Sequence, residues 1–76
     1  MIKLYTVHGC EWCGKAKTWL QKNKISYQEL NTTDVDQYRH ELIFKTGQLA
    51  VPVFEVNNRT IVGFNEQLLK TTLKGF

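Results

Sequence analysis

The chain has 76 residues, a length that fits one domain, because folded domains usually comprise roughly 50 to 250 residues. Apolar residues make up 42% and charged residues 22%, which is typical of a globular chain. The net charge of +3 is too small for the dense basic surface of a nucleic-acid-binding protein. The longest apolar stretch, Leu49 to Phe54, is too short to span a bilayer. We therefore expect a single soluble domain over residues 1–76 that binds neither nucleic acid nor membrane.

The start of the chain and its cysteines indicate the compartment. Residues 1–5 have neither the long apolar run nor the cleavage site of a signal peptide, so we expect a cytoplasmic protein. The only two cysteines are Cys10 and Cys13. A disulfide between them would close a very small loop and restrict the unfolded chain little. In a cytosolic chain this pair predicts redox chemistry first and metal binding second.

The first half of the chain predicts strand, helix, strand. Residues 2–7 alternate and are rich in β-branched and aromatic types, which indicates a strand. From Glu11 to about Asn23, apolar residues recur at helical spacing. These residues are Trp12, Ala16, Trp19 and Leu20. A short second strand is predicted from Ile25 to Leu30.

A second helix is predicted after the turn cluster at residues 31–33. Thr33 and Asp36 resemble a capping box, which would start the helix. Gly47 is expected to end it after Thr46 in a left-handed conformation. The predicted apolar face is modest and comprises Val35, Tyr38, Leu42 and Ile43.

The last third of the chain predicts a hairpin and a final helix. Strands are expected at 53–56 and 59–62, joined by a turn in which Asn57 and Asn58 take positive φ angles. Asn65 is expected to cap the helix that follows. The order β-α-β-α-β-β-α predicts an α/β fold, with a parallel first crossover and an antiparallel last hairpin. The sheet is therefore expected to be four-stranded and mixed.

The position of the cysteines supplies the chemistry. Cys10 stands at the predicted N-terminus of the first helix, where unpaired N–H groups favour an anion. At such sites the pKa of cysteine falls from about 8.5 to roughly 3.5–7.5, which yields the reactive thiolate. Cys13 lies one helical turn further on, within reach of a disulfide. Cys10 is therefore expected to attack a substrate disulfide and Cys13 to resolve the mixed disulfide that forms.

With these features in place, the sequence resembles the glutaredoxins of the thioredoxin superfamily, over nearly the whole chain. Four segments carry the resemblance: Leu4-Tyr5-Thr6, Cys10-x-x-Cys13-x-x-Ala16-Lys17, Val51-Pro52 and Val62-Gly63. The resemblance implies a thioredoxin-like fold and a dithiol–disulfide oxidoreductase that reduces protein or glutathione mixed disulfides. It implies no bound cofactor, with glutathione as a co-substrate.

The resemblance also implies a substrate-binding surface. In the family the proline corresponding to Pro52 is cis, which leaves the backbone of Val51 to pair with an incoming chain. The family holds the two carboxylates of glutathione with a cation after the first strand, a polar group on the second helix and a Gly-Cys-Asp/Ser turn. Here the first position is Val7, which cannot pair with a carboxylate, and Arg39 occupies the second. The turn reads Gly63-Phe64-Asn65.

The sequence of this turn does not decide between two possible electron donors, glutathione and thioredoxin reductase. Gly63-Phe64 resembles instead the glutaredoxin-like redoxins that accept electrons from thioredoxin reductase and often serve ribonucleotide reductase. The overall resemblance favours glutathione over thioredoxin reductase by a narrow margin. A monomer that acts on disulfide-bearing proteins, such as ribonucleotide reductase, is expected in either case.

Residues around the pair are expected to tune it. Glu11 replaces the family's usual Pro, and its carboxylate would raise the pKa of Cys10 and make the couple more reducing. Lys15 and Lys17 oppose this effect at longer range. His8 either exchanges protons with a thiol or is simply an exposed loop residue. Trp12 either contacts substrate or packs on its helix.

The alternative is a metal-binding module. Cys10 and Cys13 would then supply two ligands of zinc or of an iron–sulfur cluster bridged across a dimer. A structural zinc site needs four ligands, and the only imidazoles in the sequence are those of His8 and His40. The ligand count argues against metal binding, and the zinc or iron content of the purified protein would decide it.

Overall fold

The computed structural model describes residues 2–57 and 59–73 of the chain, in which four strands form one sheet flanked by three helices. The elements are β1 (Ile2–Thr6), α1 (Glu11–Lys22), β2 (Tyr27–Asn31), α2 (Asp36–Thr46), β3 (Val53–Val56), β4 (Arg59–Val62) and α3 (Glu66–Thr72). The predicted order β-α-β-α-β-β-α is therefore confirmed. None of these helices is long and apolar enough to cross a membrane.

The strands are arranged in the order β2-β1-β3-β4. β1 runs parallel to β2, while β3 is antiparallel to both β1 and β4. In this register Leu4 of β1 lies between Glu29 of β2 and Phe54 of β3. The prediction of a mixed sheet with a parallel first crossover and an antiparallel last hairpin is confirmed.

Two apolar cores lie on opposite faces of the sheet, because successive strand residues point to opposite sides. The larger core, on the side of α1 and α3, comprises Ile2, Leu4, Ala16, Leu20, Phe54, Val56, Ile61, Leu69 and Leu73. The smaller core, on the side of α2, comprises Tyr5, Leu30, Leu42 and Val53. Trp19 packs at the edge of the larger core and is half-buried. The first helix therefore rests on the more extensive of the two cores.

The C-terminus of α1 explains why β2 starts later than predicted. Lys24 has a φ of 58°, and its N–H donates to the carbonyl of Gln21. The N–H of Ile25 donates to the carbonyl of Leu20 at 2.9 Å. This pair of bonds is a Schellman motif with lysine in the position that glycine usually takes. Ile25 therefore closes the helix, and the strand begins at Tyr27.

The predicted capping box of α2 is wrong. The N-cap residue is Val35, which makes no side-chain cap, and Asp36 is the first helical residue. The hydroxyl of Thr33 accepts a hydrogen bond from the backbone N–H of His8 at 3.1 Å. Thr33 therefore serves the loop that follows β1, because the folded sheet brings that loop beside it. The predicted end of the helix is confirmed, since Gly47 has a φ of 76°.

The apolar face of α2 was predicted too broadly. Leu42 is fully buried and Tyr38 packs at the edge of the smaller core. Val35 and Ile43 are instead more than a third exposed. A helix that covers this face of a four-stranded sheet alone leaves the flanks of its apolar stripe in solvent.

The predictions for the hairpin and α3 can be compared with the structure at two positions. Asn57 has a φ of 56°, as predicted for the turn, and Asn58 lies outside the described residues. The side-chain oxygen of Asn65 accepts the N–H of Leu68 at 3.0 Å, which confirms it as the cap of α3.

Candidate functional site

The first cysteine occupies the N-cap of α1. Cys10 has φ −88° and ψ 109°, an extended conformation that ends the preceding loop. Its Sγ accepts a hydrogen bond from the backbone N–H of Cys13 at 3.0 Å. A sulfur in this position faces the positive end of the helix dipole and an N–H group that lacks a partner within the helix. In proteins generally, these two features favour the thiolate form of a cysteine at a helix N-terminus.

The two cysteines form a disulfide, and their Cα atoms are 5.2 Å apart. The structure is therefore that of the oxidised chain. Cys10 is half-buried, whereas Cys13, in the first turn of the helix, is 2% exposed. A reagent that approaches from solvent meets the sulfur of Cys10 first.

A groove of about 260 Å³ adjoins the cysteine loop and is lined by Trp12, Val51, Pro52, Gly63 and Phe64. These are five of the seven residues that the sequence predicts for substrate binding. The Val51–Pro52 peptide bond is cis, as predicted. The N–H of Gly63 donates to the carbonyl of Pro52 at 2.7 Å and ties the two walls together. Gly63 has a φ of 87°, a conformation that favours glycine.

Trp12 projects between the cysteines and is 54% exposed. Its ring centroid lies 6.3 Å from that of Phe64, and the Nζ of Lys15 lies 4.2 Å from the centre of the ring. Lys15 also pairs with the carboxylate of Glu11 at 3.9 Å. Trp12 therefore contacts protein groups while about half of it is exposed, and its contact with substrate stays a prediction.

Two predicted glutathione-binding residues do not line this groove. Arg39 is exposed on α2, the helix that packs on the opposite face of the sheet from α1. Asn65 follows the groove, but its side-chain oxygen is engaged by the N–H of Leu68. The structure thus brings the apolar part of the predicted surface together and leaves its polar part aside.

Besides Lys15, two further predicted tuning residues are paired with carboxylates. The Nζ of Lys17 lies 3.4 Å from the side chain of Glu29 on β2. The Nε2 of His8 lies 2.8 Å from Asp34, in the loop that precedes α2. Both side chains of the His8–Asp34 pair are more than half exposed. His8 therefore links the loop before Cys10 to the loop before α2.

Sequence reasoning did not predict the aromatic contacts of the site. Phe64 lies between two tryptophans, because its ring is also 6.4 Å from that of Trp19, edge to face. The spacing of Trp12 and Trp19, seven residues apart, would place them on one side of α1. The contact with Phe64 depends on where the chain returns after β4. The sequence therefore indicates that the two tryptophans share one side of α1, but it does not indicate that Phe64 contacts them.

The metal alternative can be compared with the ligand groups nearby. Among residues 2–57 and 59–73, no cluster of three or more His, Cys, Asp and Glu side chains could hold a metal ion. The sulfur atoms of Cys10 and Cys13 are bonded to each other in a disulfide. In the described part of the chain, no observation favours the metal alternative.

Comparison with known proteins gives a consistent result. Residues 2–61 match the family model described as Glutaredoxin. A glutaredoxin-like 8.6 kDa protein in the rubredoxin operon of Clostridium pasteurianum is 36% identical over 66 residues, covering 87% of this chain and 88% of that protein. Glutaredoxin 3 of Escherichia coli K12 is 29% identical over 65 residues, covering 86% and 78%. The structure of a glutaredoxin from Archaeoglobus fulgidus superposes with a TM-score of 0.87 at 18% identity, covering 97% and 86%. The predicted thioredoxin-like fold is confirmed.

Proposed function

The chain belongs to the glutaredoxin family, and from this premise we propose that it is a dithiol–disulfide oxidoreductase acting through Cys10 and Cys13. The thiolate of Cys10 attacks one sulfur of a substrate disulfide, and the other sulfur leaves as a thiolate. Cys13 then attacks the Sγ of Cys10, which releases the second substrate sulfur. The substrate gains two electrons, and the chain is left with the Cys10–Cys13 disulfide.

The observation that carries this proposal is the different surroundings of the two sulfurs. The Sγ of Cys10 accepts a helix N–H at 3.0 Å and is accessible, while Cys13 is buried. A stabilised, reachable thiolate suits the attacking role. A buried thiol suits the resolving role, because its only accessible electrophile is the neighbouring mixed disulfide.

We further propose disulfide-bearing proteins as substrates, ribonucleotide reductase among them, with the backbone of Val51 as the pairing edge. The groove beside Trp12 and Phe64 is mainly apolar and open, which suits a polypeptide. The proposed cellular form is a monomer in the cytoplasm, with residues 1–76 acting as one domain and no bound cofactor.

For the electron donor, the positions of Arg39 and Asn65 favour thioredoxin reductase over glutathione. Glutathione carries two carboxylates, and neither of the residues expected to bind them lines the groove. This preference reverses the narrow one that the overall resemblance suggested. Oxidised protein mixed with NADPH and thioredoxin reductase is expected to consume NADPH faster than with glutathione and glutathione reductase. Faster consumption in the glutathione arm would contradict it.

The cysteine roles are tested by two serine variants. Cys10→Ser is expected to lower the rate of insulin reduction by at least about 1,000-fold, because the accessible nucleophile is lost. Cys13→Ser is expected to accumulate a covalent adduct between Cys10 and substrate, detected by mass spectrometry of the intact protein. Full dithiol turnover by Cys13→Ser would contradict the roles. Stoichiometric zinc or iron in protein purified without added metal would instead support the metal alternative.

A further inference from the structure

A second groove runs along α1, away from Cys10, and Phe64 forms a wall of both grooves. Its volume is about 590 Å³, roughly twice that of the groove beside Pro52. One wall is a stripe of residues at helical spacing, and the floor and the far wall are supplied by two aromatic rings and the start of α3. Its lining includes Lys15, Thr18, Trp19, Lys22, Phe64 and Glu66. We refer to this surface as the α1 groove.

The α1 groove combines an apolar floor with a cationic wall. Trp19 and Phe64 are in edge-to-face contact and are only partly buried. Lys15 and Lys22 stand on the wall, seven residues apart and therefore on one side of the helix. An occupant that presents apolar side chains to the floor and negative charge to the wall would match both features.

The lining also includes two carboxylates, those of Glu11 and Glu66, and each is paired with a lysine. Glu11 pairs with Lys15 at 3.9 Å, and Glu66 pairs with Lys70 at 3.6 Å. For Lys22, the described residues supply no carboxylate within 4.0 Å. Lys22 is therefore the cation on this wall that is most available to a partner.

We propose that the α1 groove docks the polypeptide substrate on one side of its reactive cysteine and selects an acidic, apolar segment there. The inference rests on the proposed disulfide-reductase function and names the substrate features that this site recognises. The argument for a polypeptide is continuity, because a chain that crosses the groove at Pro52 and Phe64 leads directly into the α1 groove.

The helix geometry sets the spacing of the recognised residues. At 1.5 Å per residue, Lys15 lies about 7.5 Å and Lys22 about 18 Å along α1 from Cys10. An extended peptide advances about 3.3 Å per residue. Acidic residues are therefore expected about two and about five positions from the reactive cysteine, with apolar residues between them.

The test uses disulfide-linked homodimers of short peptides. Because the two halves are identical, attack of Cys10 on either sulfur gives the same product. One peptide carries glutamates two and five positions from its cysteine with leucines between, and a second carries lysines in their place. Each is made with the segment before or after the cysteine. The reduced protein is mixed with each dimer, and acid-quenched samples give the rate constant for disulfide exchange. Bis(2-hydroxyethyl) disulfide, which is too small to reach the α1 groove, reports the basal reaction.

For one of the two orientations, the glutamate dimer is expected to react about five- to tenfold faster than the lysine dimer, since each exposed ion pair contributes only modestly. Lys22→Glu is expected to reduce this ratio to about twofold or less. Thr18→Glu, which places a negative charge on the same wall without removing a lysine, is expected to lower it as well.

The matched control is Lys24→Glu, because Lys24 is exposed beyond the end of α1 and does not line the groove. It changes the net charge by the same amount as Lys22→Glu and is expected to leave the ratio nearly unchanged. Equal losses in the two variants would overturn the inference, since the preference would then come from net charge alone. Equal rates for the two dimers in both orientations would also overturn it.

The small disulfide separates failure of the inference from failure of the proposed function. Reduction of bis(2-hydroxyethyl) disulfide at the same rate by the parent chain and Lys22→Glu supports a docking role for Lys22. A slower reaction in Lys22→Glu would overturn that role, because the change would act on Cys10 itself. If the reduced parent chain left the small disulfide unreduced, the proposed function would fail.

Discussion

The two faces of the sheet are held to their helices in different ways. On the side of α1 and α3, the described residues include nine buried apolar side chains in one cluster. On the side of α2 the cluster has four, and one of these is Tyr5, which brings a hydroxyl into the interior. The face that supports Cys10 is thus secured by apolar packing, whereas the opposite face combines a small core with polar contacts.

The polar contacts of the α2 side centre on Tyr5. Its hydroxyl donates to Glu41 at 3.4 Å and accepts from the Nζ of Lys45 at 3.2 Å. Lys45 also forms an ion pair with Glu55 on β3. Burial raises the pKa of Tyr5. Burial lowers the pKa of Lys45, but its hydrogen bonds to Glu55 and Tyr5 outweigh this effect and raise it overall.

Because their contacts differ, the two faces should respond to different perturbations. Apolar packing does not titrate, so the side that carries the cysteine pair should lose stability mainly when side-chain volume is removed. The side that carries Tyr5 and Lys45 should in addition be sensitive to alkaline pH. Truncating a leucine on each face and removing the Tyr5 hydroxyl test this contrast, and a charge change beside Cys10 has the smallest expected effect.

The largest effect is expected from removing a leucine from each core. Leu20 and Leu42 are both fully buried, one on each face. Leu20→Ala is expected to lower the free energy of unfolding by about 4 kcal/mol, because the surrounding cluster is extensive and cannot close the cavity. Leu42→Ala is expected to cost about 2–3 kcal/mol, since its smaller cluster can collapse. Urea unfolding of both variants in the oxidised state measures the difference, and a larger loss for Leu42→Ala would reverse the contrast.

An intermediate effect is expected from Tyr5→Phe. Loss of the hydroxyl contacts should lower the free energy of unfolding by about 1 kcal/mol at neutral pH. Because the pKa values of Tyr5 and Lys45 are raised in the folded chain, their contribution is complete below about pH 10 and is lost as the pH rises further. The alkaline decline of stability should therefore be shallower in Tyr5→Phe than in the parent chain.

Urea unfolding at intervals from pH 8 to 11.5 measures that decline. Tyr27→Phe is the control, because it removes a phenol that is hydrogen-bonded to Gln21 on the other face. If the free energy of unfolding of Tyr5→Phe fell as steeply with pH as that of the parent chain, the polar contacts on the α2 side would not be the cause of the alkaline decline.

The smallest effect is expected from Glu11→Gln. Removing this carboxylate should favour the thiolate of Cys10 and make the couple less reducing. Glu11 is exposed and paired with Lys15, so the reduction potential should move by no more than about 20 mV. Equilibration with glutathione buffers measures the potential. If neither the potential nor the pKa of Cys10 changes, Glu11 does not tune the pair.

Much of the fold followed from local patterns. Three predictions that depend on a few neighbouring residues are confirmed. They are the order of helices and strands along the chain, the end of α2 at Gly47 and the cap at Asn65. The capping box at Thr33 was wrong because a competing donor, the N–H of His8, reaches the same hydroxyl in the folded chain. The start of β2 was wrong because Ile25 is required to close α1.

The candidate site also has features that local sequence predicts and features that it does not. The placement of Cys10 and Cys13 at the start of a helix follows from their spacing and from the apolar periodicity after them. The pairing of His8 with Asp34 involves loops that are far apart in the sequence. No local pattern predicts it, since the contact exists only when β1 and β2 lie side by side.

The order of elements and the position of the thiol pair at a helix N-terminus are specified by local sequence, because both depend on interactions within a turn or two of chain. The tertiary structure decided that Phe64 lies between Trp12 and Trp19, and that Gly63 bonds to Pro52. These residues come from segments that meet only through the sheet order β2-β1-β3-β4. Local propensity places each residue on its element, but the groove exists because long-range strand pairing and core packing bring those elements together.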